Sequence, residues 1–163
     1  KTGGGPTATA PKTKPSDEFK LAYCDAVFES THEMFFPLNP TINMTFGEKY
    51  NSNKKKLLED ILPNSLNNFE KLLQNSSGNF FIGNDPFYCD FNAYHHFSMC
   101  LILDKNIFSN FPNLKKFINN FEKLNNIKNY LDGRPELVEL GKSPHFLIDG
   151  KKIPTGLNPN KKY

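Results

Sequence analysis

The chain has 163 residues, 37% of them hydrophobic, with 16 Phe and no Trp, enough for one domain with a real core. Its net charge is only +3 and its basic residues are nearly all Lys, with Arg134 the single Arg; nucleic-acid readers rely on Arg forks and a concentrated basic face, so no nucleic-acid partner is expected. Three cysteines (Cys24, Cys89 and Cys100) make no disulfide framework, and no secretory leader or apolar run of about 20 residues suggests export or a membrane, so reduced thiols and a cytoplasmic location are expected.

Residues 1–15, KTGGGPTATAPKTKP, contain nothing able to bury a face and are expected to be a flexible linker or tail. Their Gly run lacks the preceding strand and following helix of a phosphate loop. The chain starts at Lys1 rather than Met, so further sequence upstream is expected. A first helix should start at Ser16, with Asp17 and Glu18 in its first turn and Cys24, Val27, Phe28, Met34 and Phe35 at helical spacing. Pro37 and Pro40 should end or kink it, leaving residues 38–53 as a loop with at most a turn of helix. Asp25, Glu29 and Glu33 recur at i, i+4 and i+8, which puts three carboxylates on one helix face. Like charges at that spacing repel. The face is therefore either simply solvated or completed by something cationic.

A second helix over residues 54–74 turns Leu57, Leu58, Ile61, Leu62, Leu66, Phe69, Leu72 and Leu73 inward, with a kink expected at Pro63. Gly78 closes it, and Phe80-Phe81-Ile82 is either a very short strand or loop. The third helix, residues 88–103, is apolar nearly all round, as a helix in the middle of a bundle is. A fourth has Pro112 in its first turn and ends near Leu124; a short fifth covers residues 127–131 and stops at Asp132-Gly133. Beyond it, residues 137–140 could form one more short helix. The pattern reads as all-α, a bundle of five to seven helices over residues 16–135, with residues 136–163 as a C-terminal extension.

The most informative stretch is FFIGNDPFYCDFNAYHHF, residues 80–97. With Phe87 as N-cap, the Asp90 carboxylate sits at the third helical position and can accept one of the unpaired N–H groups of the first turn. A competing start makes Asp85 the N-cap and Pro86 the first helical residue. In either case the residues alone make Asp90 structural. His95 and His96 point about 100° apart and cannot easily share a metal, and neither HExxH nor CxxC occurs, so no metal is expected.

FIGNDPFYCDFNAY, followed by FPNLKKFINNFEKLNNIKNYL and GRP, resembles the helical C-terminal domain of cytosolic glutathione transferases of the mu, pi and sigma group, over residues 15–135. In that family a G-D/N-x-x-[ST]-x-x-D-[FY] segment opens the central helix with a capping box. Asp90 and Phe91 match it; Phe87 stands where the hydroxyl would be, so half of the box is present. The resemblance implies a homodimer in which Asp25 and Glu29 face basic residues of the partner subunit's thioredoxin-like domain. It implies that Glu33 reaches the γ-glutamyl end of glutathione bound in the other subunit. Phe35 and Phe36 would stand in the wall of a pocket for an apolar electrophile, although aromatics at helical spacing are also ordinary core. The implied activity is conjugation of glutathione, as co-substrate, to that electrophile. A Tyr or Ser hydroxyl on an N-terminal thioredoxin-like domain would stabilise the thiolate. That domain's βαβ–ββα pattern is not in this sequence, so the chain alone should be inactive. Two alternatives stand beside this: a non-catalytic transferase-like interaction module of a translation or synthetase complex, and a ligand-sequestering protein with an apolar groove.

Overall fold

The computed structural model describes residues 15–134 and, beyond them, residues 145–148 and 151–154. Of the linker expected at residues 1–15 all but Pro15 lies outside these, as does the short helix expected at 137–140.

Helix α1 is Glu18–Glu33, one turn of whose free N–H groups is met by Asp17: its carboxylate accepts from the backbone of Phe19 at 2.9 Å and Lys20 at 3.2 Å. After Met34 the chain re-enters helix as α2, Phe35–Met44, and then α3, Gly47–Lys56. The loop expected at 38–53 is therefore helical, and the two prolines do not end it. Pro37 falls in the first turn of α2, where a missing N–H matters little. Pro40 removes one interior bond, a cost of about 3 kcal/mol. Burial of Leu38 and Ile42 on the same helix returns about 1.5–3 kcal/mol each, which is enough to hold the helix together. The hydroxyls of Thr41 and Thr45 donate to the carbonyls of Pro37 and Thr41, at 2.9 and 3.0 Å, and tie the stretch further.

From α3 the chain passes through a π turn, Leu57–Ile61, into α4, Leu62–Gln74. The expected distortion at Pro63 takes this form: Leu62 N–H bonds back five residues to Leu57. Helix α5, Tyr88–Leu103, coincides with the residues expected from its apolar circumference. It packs on α1, α2 and α6, and α4 packs on α6, Pro112–Glu122. Helix α7, Asn125–Gly133, leans on α6. Within the core, Phe97 of α5 is met by the rings of Phe69, Phe108 and Phe117 at 5.5–5.9 Å, in the edge-on arrangement that aromatic quadrupoles favour.

Two joints fix α5 and α6. Asn92 on α5 donates to Phe28 carbonyl at 3.1 Å and to Thr31 Oγ1 at 2.7 Å, both on α1. Glu70 on α4 caps α6 from outside, accepting from Asn113 N–H (2.9 Å), Asn113 Nδ2 (2.7 Å) and Leu114 N–H (2.9 Å). After the helical bundle, β1 (His145–Ile148) and β2 (Lys151–Pro154) pair antiparallel, with Ile148 opposite Lys151. The sequence reading did not anticipate this ribbon.

Candidate functional site

The start of α5 organises its surroundings. Asp90 is fully buried and bridges two segments: Oδ2 accepts from Phe87 N–H at 2.8 Å, and Oδ1 accepts from Phe81 N–H at 3.0 Å. Phe87 is the N-cap. Its side chain has no oxygen to complete a reciprocal box, and the Asp90 N–H instead bonds the Phe87 carbonyl at 2.9 Å. The alternative start is not the one adopted. Asp85 lies two residues before the cap and is exposed, with Pro86 also outside the helix. Burial pushes the Asp90 carboxyl up to about 6, against the opposing pull of the two backbone N–H groups, so desolvation outweighs hydrogen bonding here.

The turn that delivers Phe81 to Asp90 is tight. Phe80 N–H bonds Gly83 carbonyl at 2.9 Å. A Cβ on Gly78 would lie 2.2 Å from the Gly83 carbonyl carbon, so only glycine fits there.

Along α1, Asp25, Glu29 and Glu33 are all exposed on one face. Asp25 also has a partner that its neighbours in sequence did not suggest: it accepts a hydrogen bond from the Tyr88 hydroxyl at the start of α5. Glu33 lines a cavity of about 310 Å³ between α1 and α4, with Ser30, Met34, Ser65, Asn68 and Phe69 among its walls.

Phe35 and Phe36 are not core residues. Phe35 is half-buried and Phe36 is 67% exposed. They join a ring cluster that the sequence reading missed, centred on His32 and His96. His32 stacks in parallel on Phe28 (6.2 Å) and Phe35 (5.8 Å) and meets Phe36 edge-on. His96 on α5 stands perpendicular to His32 and Phe35 at 6.2 and 6.1 Å. Its pKa is lowered, first by burial and then by the charges of His95 and His32, against the raising effect of the hydrogen bond it makes to the Asn92 carbonyl. Two residues earlier on α5, Tyr94 donates to Glu122 at 3.1 Å, and burial together with that carboxylate pushes its hydroxyl up to about 12.

Burial pushes the Cys89 and Cys100 thiols well up, so they are protonated at neutral pH and are not nucleophiles. Among the described residues no group of three His, Cys, Asp or Glu side chains is arranged to hold a metal, and no helix is long and apolar enough to cross a membrane.

A family model described as "Glutathione S-transferase, C-terminal domain" matches residues 32–134. The match takes in Glu33, Phe35, Phe36, the Asp90 clamp and all of α2 to α7. A glutathione S-transferase of Plasmodium yoelii yoelii is 29% identical over 121 residues, 74% of this chain and 55% of that protein. Glutathione S-transferase P of Caenorhabditis elegans is 28% identical over 121 residues, 73% of this chain and 56% of that protein. The chain thus spans about half the length of the curated relatives it matches. The solved Pi-class glutathione S-transferase of Onchocerca volvulus superposes with a TM-score of 0.68 at 25% identity, over 75% of this chain and 58% of that one. With its buried central helix clamped by Asp90 inside the matched segment, this chain belongs to the glutathione S-transferase C-terminal domain family.

Proposed function

We propose that this chain is the helical half of a glutathione transferase, which conjugates glutathione to an apolar electrophile. The observation that carries the reading is the Asp90 clamp at the head of the largely buried α5, within the segment that the family model matches. Residues 16–135 form the transferase-like domain, residues 1–15 link it to a thioredoxin-like domain, and residues 136–163 extend it. The thioredoxin-like domain supplies the hydroxyl that stabilises the glutathione thiolate. The ring cluster of exposed His32 and Phe36 with half-buried Phe35, next to α5, suits the wall of an electrophile pocket, because such pockets are lined mainly by aromatic and apolar side chains.

The exposed stripe on α1 supports a homodimer. Asp25 keeps one carboxylate oxygen free of the Tyr88 hydroxyl, and Glu29 is open to solvent, so both can meet basic residues across a two-fold interface. Glu33 is the residue for the γ-glutamyl ammonium of glutathione bound in the partner subunit; a carboxylate and an ammonium make a charge-assisted hydrogen bond. A reducing compartment such as the cytoplasm suits both the free glutathione thiol and the three unpaired cysteines.

The test is conjugation of glutathione to an activated aryl halide by the full-length protein, with retention on immobilised glutathione beside it. Loss of a charge-assisted contact is worth roughly tenfold, so Glu33→Ala should raise KM for glutathione by about that factor and leave kcat nearly unchanged. An unchanged KM removes Glu33 from the site. Absence of both conjugation and retention removes the transferase reading itself.

A further inference from the structure

Where the turn after α5 meets α6, a cavity of about 260 Å³ opens. None of the residues that line it belongs to the acidic stripe of α1 or to the ring cluster around His32. Its apolar floor is Leu101, Phe108 and Ile118, the last two buried and so fixed by the core beneath them. Two cations, Lys105 and Lys115, also line it, and neither makes an ion pair among the described residues. The acid next to Lys105 in sequence, Asp104, is engaged in the turn itself, where its Oδ1 accepts from Asn106 N–H at 2.8 Å. The turn is tied further by Ser109 N–H, which donates to the Asn106 carbonyl at 2.9 Å. The carboxylate in the lining is Glu122, held by the Tyr94 hydroxyl at 3.1 Å. Glu122 lies two turns beyond Lys115 on the same face of α6, about 10 Å along the helix axis. Helices α5 and α6 run antiparallel, since Tyr94 meets Glu122 while Phe97 meets Phe117. Lys105, past the C-terminal end of α5, therefore stands at the Lys115 end of the cavity. The cavity has a cationic end, an apolar middle and an anionic end.

We propose that this cavity binds a medium-chain monocarboxylate, with its carboxylate at Lys105 and Lys115, its chain over Leu101, Phe108 and Ile118, and its uncharged end toward Glu122. Each part of the lining selects one part of the ligand. An inorganic anion would meet the lysines and leave the apolar floor uncovered; a neutral hydrocarbon would cover the floor and leave the lysines without a counter-charge. A dicarboxylate of the same length would set its second charge against Glu122. The volume is at the small end for ligand sites, which suits a single short chain. The inference does not depend on the transferase reading.

The test is a titration of the full-length protein at low salt with octanoate, octanamide and octanedioate, followed by ¹H–¹⁵N NMR. All three have a chain about as long as the two helical turns between Lys115 and Glu122. Octanoate should bind about fivefold more tightly than octanamide, the worth of exposed ion pairs, and octanedioate should bind about fivefold more weakly than octanoate. The amide resonances of residues 105–109 and 115–122 should move with octanoate. Lys105→Gln and Lys115→Gln together change only exposed side chains; the double variant should keep its circular dichroism and lose the preference for octanoate over octanamide. Glu122→Gln, which keeps an acceptor for Tyr94, should remove the penalty on octanedioate. Equal binding of octanoate and octanamide, binding of neither, unmoved resonances at 105–109 and 115–122, or a preference kept in the double variant would overturn the proposal. So would octanedioate binding to the wild type as tightly as octanoate. Should a variant not fold, the three wild-type titrations decide. Conjugation of glutathione is measured separately, so its absence removes the transferase reading and leaves this site standing.

Discussion

Asp90 holds two backbone N–H groups that would otherwise be buried without acceptors, one in the turn before α5 and one at its cap. Its burial still costs the carboxylate more than those bonds return, which is why its pKa stands near 6. Asp90→Ala strips both donors of their acceptor and should lower stability by about 3 kcal/mol in urea denaturation; Asp90→Asn keeps one acceptor and should cost about half as much. The pH dependence has a definite sign. The carboxyl's folded pKa lies above its unfolded value of about 4, so between about pH 4 and pH 6 the folded state binds the extra proton and stability rises as pH falls. Asp90→Asn lacks that gain. The stability gap between wild type and Asp90→Asn should therefore widen by about 1 kcal/mol from pH 7 to pH 5. A gap that narrows would mean the carboxylate, not the acid, is the form the fold prefers. His96 acts in the opposite direction in both proteins, because its lowered pKa makes the unfolded state the better proton acceptor below about pH 6.5. It therefore cancels in the comparison. Asp90 was legible in the sequence because a cap is a local relation over three residues. Its second ligand, Phe81 N–H, was not, because that bond depends on a turn closed by Gly78 and Gly83.

The helices divide by how local their causes are. The bounds of α5 follow from an apolar run that tolerates no other environment. Those of α6 follow from Pro112 at its first position. Helices α2 and α3 were hidden by Pro37 and Pro40, residues that read as stops. Whether they stop a helix depends on position in the turn and on what Leu38 and Ile42 bury, which only packing decides. The ribbon of β1 and β2 was not legible because two strands of four residues each are too short to establish an alternation beside so many helices. The N-terminus of α6 shows a cause that no local reading can find. Its N-cap, Phe111, offers no side-chain acceptor, and the carboxylate that serves its free N–H groups comes from Glu70, more than forty residues earlier. That carboxylate also lies at the positive end of the α6 dipole. Glu70→Ala should lower stability by about 2 kcal/mol, and Glu70→Gln, which retains an acceptor without the charge, by about half of that, measured by thermal or urea unfolding. Equal effects of the two substitutions would mean that charge rather than acceptor geometry carries the cap.

At the scale of the whole molecule, the acidic stripe was legible as a periodicity, but its setting was not. Asp25 is held by Tyr88 from 63 residues away, and the His96 cluster joins three helices whose contact no spacing predicts. The stripe sets three exposed carboxylates in a row on a chain whose net charge is +3, so the charge of α1's outer face runs against that of the molecule. Such separation gives the molecule an acidic face able to meet a basic one in a second copy, and it would do so with a salt dependence, since the Debye length shrinks from about 10 Å at 0.1 M to about 3 Å at 1 M. Glu29 is the position at which to test this, because it lacks the intramolecular hydroxyl that anchors Asp25 and is not the residue assigned to glutathione. Reversing its charge replaces an attraction with a repulsion. Glu29→Lys in the full-length protein should weaken dimerisation by roughly tenfold at low salt in sedimentation equilibrium, and the difference from wild type should fade toward 1 M salt. A dimer constant that Glu29→Lys leaves unchanged at low salt would place the interface on another face of the bundle.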